Sequence, residues 1–122
     1  MYVGEYMTTK VITVQPDTMA VVAMKTMRDN RIRRLPVLDR GKLIGLVTQD
    51  SLRNLGLKEE IAGANYRWLL VAKTKVSEIM VGGPKTVTSD TTLEECAALG
   101  QLLRIGTFPV VDDGRLVGII TT

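Results

Sequence analysis

Two hydrophobic rhythms alternate along this chain, and the same succession is used twice. Ala20, Ala23, Met24 and Met27 recur at i, i+3, i+4 and i+7, the spacing that keeps one helix face apolar. Asp17-Thr18 stands ahead of them as a helix-start signal and Asp29-Asn30 marks the stop. Short β-prone runs follow: Leu35–Leu38, a turn at Asp39-Arg40-Gly41-Lys42, then Leu43–Thr48. The second copy opens with Asp90-Thr91, with Thr91 and Glu94 at capping-box spacing. Its helix stripe is Leu93, Cys96, Ala97 and Gly100, followed by Phe108–Val111, the turn Asp112-Asp113-Gly114-Arg115, and Leu116–Thr121. A short apolar piece, Thr13-Val14 or Thr86-Val87, precedes each helix. The last strand of each copy is almost wholly apolar, which predicts burial on both faces. Beyond Thr48 a helix is expected through Ser51–Leu55, ended by Gly56, and another over Tyr66–Ala72.

Moved by 73 positions, Met7–Gln49 falls on Met80–Thr122 without a gap. Arg31-Ile32 lands on Arg104-Ile105, Pro36-Val37 on Pro109-Val110, and Gly45 and Thr48 on Gly118 and Thr121. A repeat kept through a helix and two turns predicts two similar half-domains about a pseudo-twofold axis, with a ligand seam between them. At 122 residues the chain is one domain's worth, and a unit of about 45 residues rarely holds a core alone. The expected organisation is a first repeat over 1–58, a helix-bearing connector over 59–75, and a second repeat over 76–122. The second copy reaches Thr122 with no counterpart of the Ser51–Leu55 helix. A shortened or disordered tail is the expectation there, and a covering partner chain the alternative.

Composition narrows the functional classes. With 45% hydrophobic residues and a mean hydropathy of +0.12, the chain can build a shared core and a further, oligomeric surface. Met1–Glu5 has no secretory pattern, and no run approaches the ~20 apolar residues of a membrane span. The lone Cys96 cannot form an internal disulfide and sits on a helix stripe, which makes it a core residue. A soluble, cytoplasmic protein is expected. The absence of histidine excludes histidine-based triads and metal clusters. Gly82-Gly83 lacks the Gly-Lys-(Ser/Thr) context of a phosphate loop. Glu94-Glu95 reads as a helix first turn and Asp112-Asp113 as a turn, so neither catalytic residues nor a metal site are expected. The net charge of +3 is uneven: residues 1–63 carry ten Lys/Arg against seven acids, and 64–122 carry six of each. The excess gathers at Arg28, Arg31, Arg33 and Arg34, which points to an anion site.

The motifs now have a family likeness. Ile32-Arg33-Arg34-Leu35-Pro36-Val37 with Gly45-Leu46-Val47-Thr48, and Ile105-Gly106-Thr107-Phe108-Pro109-Val110 with Gly118-Ile119-Ile120-Thr121, resemble the cystathionine-β-synthase (CBS) domain family in tandem, a Bateman module. The leader Val76–Met80 is typical of it, and Val3–Met7 is a weaker copy. The connector Asn65–Leu70 followed by Lys75-Val76 resembles CBS-pair proteins of the acetoin-utilisation type. The resemblance implies an α/β fold of two β-α-β-β-α motifs. It also implies a non-enzymatic, dimeric regulatory module with no cofactor beyond its ligand: AMP, ADP, ATP or S-adenosylmethionine, held in clefts between the motifs.

Residue by residue, the expected ligand contacts combine both readings. Gly45 and Gly118 sit late in strands, where glycine marks close approach of another backbone or of a ligand. Thr48 and the amides of Gln49–Ser51 could hold a phosphate or ribose oxygen; a plain helix cap is the alternative. Arg31, Arg33, Arg34 and Arg104 precede the Pro-Val strands, and arginine's planar fork suits phosphate. The family's Gly-x-x-(Thr/Ser)-x-x-(Asp/Asn) pattern carries the ribose carboxylate three places after the threonine. Here Ser51 holds that place and Asp50 stands one early, about 100° round a helix. Leu35-Pro36 and Phe108-Pro109 are expected to wall an adenine. Thr13, Ile32, Thr86, Gly106, Thr107 and Thr121 complete the positions the resemblance implies. A ligand-free dimerisation scaffold is one rival reading. A nucleic-acid binder built on the arginines is another, although 4% aromatic residues argue against a stacking platform.

Overall fold

The computed structural model describes residues 1–53 and 72–122. The Gly56 helix stop and nearly all of the Tyr66–Ala72 helix lie outside them. In chain order the elements are α1 (Val3–Tyr6), α2 (Ala20–Asn30), β1 (Arg34–Asp39), β2 (Lys42–Thr48), α3 (Gln49–Arg53), α4 (Val76–Ile79), β3 (Val81–Gly82), α5 (Leu93–Leu103), β4 (Thr107–Asp112) and β5 (Arg115–Thr121). Helix followed by hairpin occurs twice, as α2-β1-β2 and α5-β4-β5, which is the α/β order expected from the repeat.

Both long helices begin later than Asp17-Thr18 and Asp90-Thr91 suggested. The Thr18 and Thr91 hydroxyls accept from the backbone N–H of Gln15 and Thr88, at 3.0 and 3.1 Å. They therefore close turns before the helices rather than cap them. The cap of α5 is Thr92, whose hydroxyl accepts from Glu95 N at 3.0 Å. The helices end alike: Arg31 (φ 54°) and Arg104 (φ 56°) take the left-handed conformation that halts an α-helix. On α2, Ala20, Ala23 and Met27 are buried, as the stripe requires. On α5, Cys96 and Gly100 are buried but Ala97 is exposed; Leu99, not Ala97, joins the core. Burial pushes the Cys96 thiol pKa up.

Each hairpin turns on two residues of positive φ, Arg40-Gly41 and Asp113-Gly114, the mirror-image turn that matches strand twist. β4 and β5 pair antiparallel from Thr107↔Thr121 to Asp112↔Arg115, with an irregularity at Val110/Val111. Val14 and Val87 each add a parallel bridge, to Val37 and Val110, so both sheets are mixed. β2 and β5 are not buried on both faces. Gly45 and Val47, and Gly118 and Ile120, are buried, while Ile44, Leu46, Thr48, Val117 and Ile119 stay half-buried.

The chain forms two compact units. One comprises Met1–Ile12, Gly41–Leu43 and Pro84–Thr122; the other comprises Thr13–Arg40 with Ile44–Gly83. In the first, Val3 from the chain's start joins Val87, Cys96, Phe108, Val110 and Ile120 in one core, with Met7 packed on it. The α1 leader is tied there by Val3 N to Thr91 O (2.8 Å) and by Thr8 and Ile119 exchanging both backbone bonds (2.8 and 2.9 Å). In the second unit α4 takes the same place: Val76 is fully buried, its N–H bonds Thr18 O at 2.8 Å, and β3 extends the β1-β2 sheet. Each leader is thus built into the unit that carries the other repeat's hairpin. A polar tie in the first unit has no equivalent among the described residues of the second. Asp112 accepts from Ser89 Oγ (2.5 Å) and Ser89 N (2.9 Å), and these bonds lower its pKa; the matching position in the first repeat is Pro16.

Candidate functional site

Where β1 begins and β2 runs into α3, Arg33, Arg34, Thr48, Gln49, Asp50 and Arg53 line a cavity of about 230 Å³. Local bonding explains the grouping. Gln49 N donates to Arg33 O at 2.8 Å, which pins the start of α3 beside the segment leading into β1. Thr48 Oγ1 accepts from Ser51 N at 3.0 Å and lies 2.9 Å from Ser51 Oγ. The Thr48 hydroxyl is therefore a helix cap, and two of the three amides expected to be open, those of Gln49 and Ser51, already have partners. Asp50 faces Arg53 at 3.8 Å across the surface, with side-chain exposures of 80% and 64%. Among the described residues no carboxylate forms an ion pair with Arg33 or Arg34. Among the described residues the lining carries three guanidinium groups and one carboxylate, and the planar forks of Arg33 and Arg34 suit oxygen anions.

The other expected contacts are placed differently. Arg31 and Arg104 are helix C-caps, and Arg104 lines a separate opening of about 650 Å³ on α5, with Ala97, Ala98, Gly100, Gln101 and Thr122 among its walls. Ile32 is half-buried, and its N–H closes the end of α2 on Met27 O at 3.0 Å. Leu35, Pro36, Phe108 and Pro109 are fully buried; in this structure they offer no open wall to a base, and neither of the two cavities includes them. Thr107 is buried, 3.4 Å from the hydroxyl of exposed Thr121. Thr13, Thr86 and Gly106 are exposed and line neither cavity.

Gly45 and Gly118 are explained by the leaders. A Cβ on Gly118 would lie 2.6 Å from Met7 Sδ and 2.9 Å from Thr8 O. A Cβ on Gly45 would collide with Met80 Sδ and lie 3.1 Å from Val81 O. The close approach expected of these glycines is made by backbone and thioether. Sequence reasoning named only the backbone amide of Gln49 and missed Arg53 in the cavity, and it missed Met7 and Met80 at the glycines. Gln49 and Arg53 are four apart, on one face of α3, so starting that helix at Gln49 would have found them. The methionines close both leader motifs, at Val3–Met7 and Val76–Met80.

With that geometry described, comparison with known proteins places the chain. The family profile of the CBS domain matches residues 3–58 and 76–122. A CBS domain-containing protein of Dictyostelium discoideum is 35% identical over 98% of this chain and 84% of its own length. The chloroplastic CBSX1 of Arabidopsis thaliana is also 35% identical over 98% of this chain, which spans 60% of it. Among solved structures, the acetoin utilization protein AcuB from Vibrio cholerae superposes with a TM-score of 0.83 at 30% identity, covering 99% of this chain and 84% of that one. CBSX2 in complex with AMP superposes with a TM-score of 0.82 at 30% identity, covering 98% and 90%. Among the described residues no helix is long and apolar enough to cross a membrane.

Proposed function

The chain belongs to the CBS domain family, and from that premise we propose that it is a regulatory, non-catalytic module that binds an adenosine-containing ligand: AMP, ADP, ATP or S-adenosylmethionine. The observation that carries this reading is the cavity at the β1–β2–α3 junction, where Arg33 and Arg34 stand without a carboxylate partner among the described residues. The AMP complex of CBSX2, a 30% identical structure, supports the ligand class. Arg33 and Arg34 meet the phosphate end, and Thr48 and Gln49 line the same space. The module works as a homodimer in the cytoplasm, where the buried thiol of Cys96 remains reduced. Exposed Leu102 and Leu103 on α5 supply apolar surface for the second copy.

A second reading, a dimerisation scaffold that holds no ligand, is favoured by one detail. The hydroxyls of Thr48 and Ser51 are bonded to each other rather than turned outward as a pair. Titration calorimetry with AMP, ADP, ATP, adenosine and S-adenosylmethionine separates the two. Saturable binding of at least one supports the module, and heats indistinguishable from dilution for all five at millimolar concentration leave the scaffold.

A further inference from the structure

The two long helices hold matching places in the repeat but present opposite surfaces. α2 leaves Val22, Lys25 and Arg28 exposed, and α5 leaves Glu94, Glu95, Ala98 and Leu102 exposed. Val22 is 50% and Leu102 78% exposed, so each helix carries a large apolar side chain open to solvent. The one acid of α2, Asp29, meets Arg28 only at 3.7 Å on an open surface. α5 has two acids and no cation from Leu93 to Leu103, and among the described residues neither acid forms an ion pair. Shape differs as charge does. At Ala97, Ala98 and Gly100 α5 leaves an opening of about 650 Å³ with Glu94 in its wall, where α2 carries Met24, Lys25 and Met27. Arg104, the cation of that lining, stands ten residues and about 15 Å further along the helix than Glu94.

Resting on the homodimer reading, we infer that α2 of one copy docks antiparallel on α5 of the other, a contact that twofold symmetry makes twice. Centred on Lys25 and Ala98, this pairing sets Val22 by Leu102 and Arg28 by Glu94 and Glu95. The apolar stem of Lys25 lies over Ala98, with its ammonium within a turn of Glu94. The other pairings fit worse. α2 on its own copy, centred at the same point, brings two Lys25 ammonium groups together. α5 on its own copy sets Glu95 against Leu102 and leaves both Val22 side chains in water. A parallel pairing of α2 with α5 matches Val22 with Glu95 and Leu102 with Asp29.

The experiment is sedimentation equilibrium on the full chain, on Lys25→Glu/Arg28→Glu, on Glu94→Lys/Glu95→Lys, and on the four changes combined, each checked for native circular dichroism. An exposed ion pair contributes about a factor of two, and its reversal adds repulsion of similar size. Over the four pairs of a dimer, each double variant should weaken association on the order of a hundredfold. The combined variant should return to within about threefold of the parent, and the two double variants mixed should form a dimer together. If both double variants dimerise as the parent does, or the combined variant does not recover, the inference is overturned and the homodimer stands. If only Glu94→Lys/Glu95→Lys weakens the dimer, α5 pairs with its own copy, and the inference again falls. Should a variant lose its native spectrum, salt decides on the parent chain. Sodium chloride at about 0.5 M should weaken a dimer held by opposite charges, and an unchanged or tighter dimer overturns the inference. A parent chain that stays monomeric removes the homodimer reading and the inference together.

Discussion

Replacing Gly118 with alanine tests how the first leader is held. The new methyl would meet Met7 Sδ at 2.6 Å, Met7 Cγ at 2.9 Å and Thr8 O at 2.9 Å. A methionine side chain can turn away, since three rotatable bonds make it adaptable. The Thr8 carbonyl cannot, because it is bonded to Ile119 N at 2.9 Å while Thr8 N bonds Ile119 O at 2.8 Å. Relief therefore means separating Thr8 from Ile119, with the loss of two hydrogen bonds of about 0.5–1.5 kcal/mol each. Alanine recovers about 0.4–1 kcal/mol by stiffening the unfolded chain. The net expectation is a destabilisation of roughly 0.5–2.5 kcal/mol. Gly82→Ala is the control, since nothing lies within 4 Å of a Cβ there. Urea denaturation followed by circular dichroism reads both. With a slope of about 2 kcal/mol per molar, Gly118→Ala should lower the midpoint by several tenths of a molar to about 1 M. A Met7→Ala background should not rescue it. A Gly118→Ala midpoint equal to that of Gly82→Ala, or full rescue by Met7→Ala, would refute the reasoning.

Other consequences are independent of that one. Arg31 and Arg104 sit at φ 54° and 56°, so Arg31→Gly and Arg104→Gly should each stabilise the fold by a few tenths to about 1 kcal/mol, since a left-handed non-glycine costs about 1–2 kcal/mol and glycine returns part of that in the unfolded chain; thermal melts of the single variants check this. Asp112 has a lowered pKa through its bonds to Ser89. Its stabilisation is present above the ordinary carboxylate value and lost as pH falls through the lower folded one, so Ser89→Ala should flatten the acid side of a stability-against-pH profile below about pH 4. Cys96 is 1% exposed with its thiol pKa raised by burial, so it should resist a thiol reagent at pH 8 in buffer and react fully in guanidinium chloride.

The fold was more legible in the sequence than the site was. Apolar stripes report which side of an element is buried, so α2, α5 and both hairpins could be read from Ala20 through Thr121. The misreadings came where one side chain had two physical uses. Thr18 and Thr91 can cap a helix or close a turn, and only the backbone of Gln15 and Thr88 decides. Gly45 and Gly118 announced a close approach, but the partners, Met80 and Met7, lie 35 and 111 residues away in the chain. Spacing cannot link positions that far apart. The arginines behaved likewise. Arg31, Arg33 and Arg34 form one cluster in sequence, yet the first is a helix cap and the other two line a cavity, because the chain reverses at Arg31. Arg53 joins them only once α3 folds back beside Arg33.

The central claim is that Arg33 and Arg34 hold the phosphate end of an adenine nucleotide. A side-by-side calorimetric titration of ATP and adenosine into the parent chain and into Arg33→Ala/Arg34→Ala tests it most directly. Losing charge-assisted hydrogen bonds of about 1.5–3 kcal/mol each should weaken ATP by roughly tenfold or more, about 1.4 kcal/mol per factor of ten, with adenosine affinity unchanged. Equal ATP affinity in the two proteins, or parallel losses for ATP and adenosine, would contradict it.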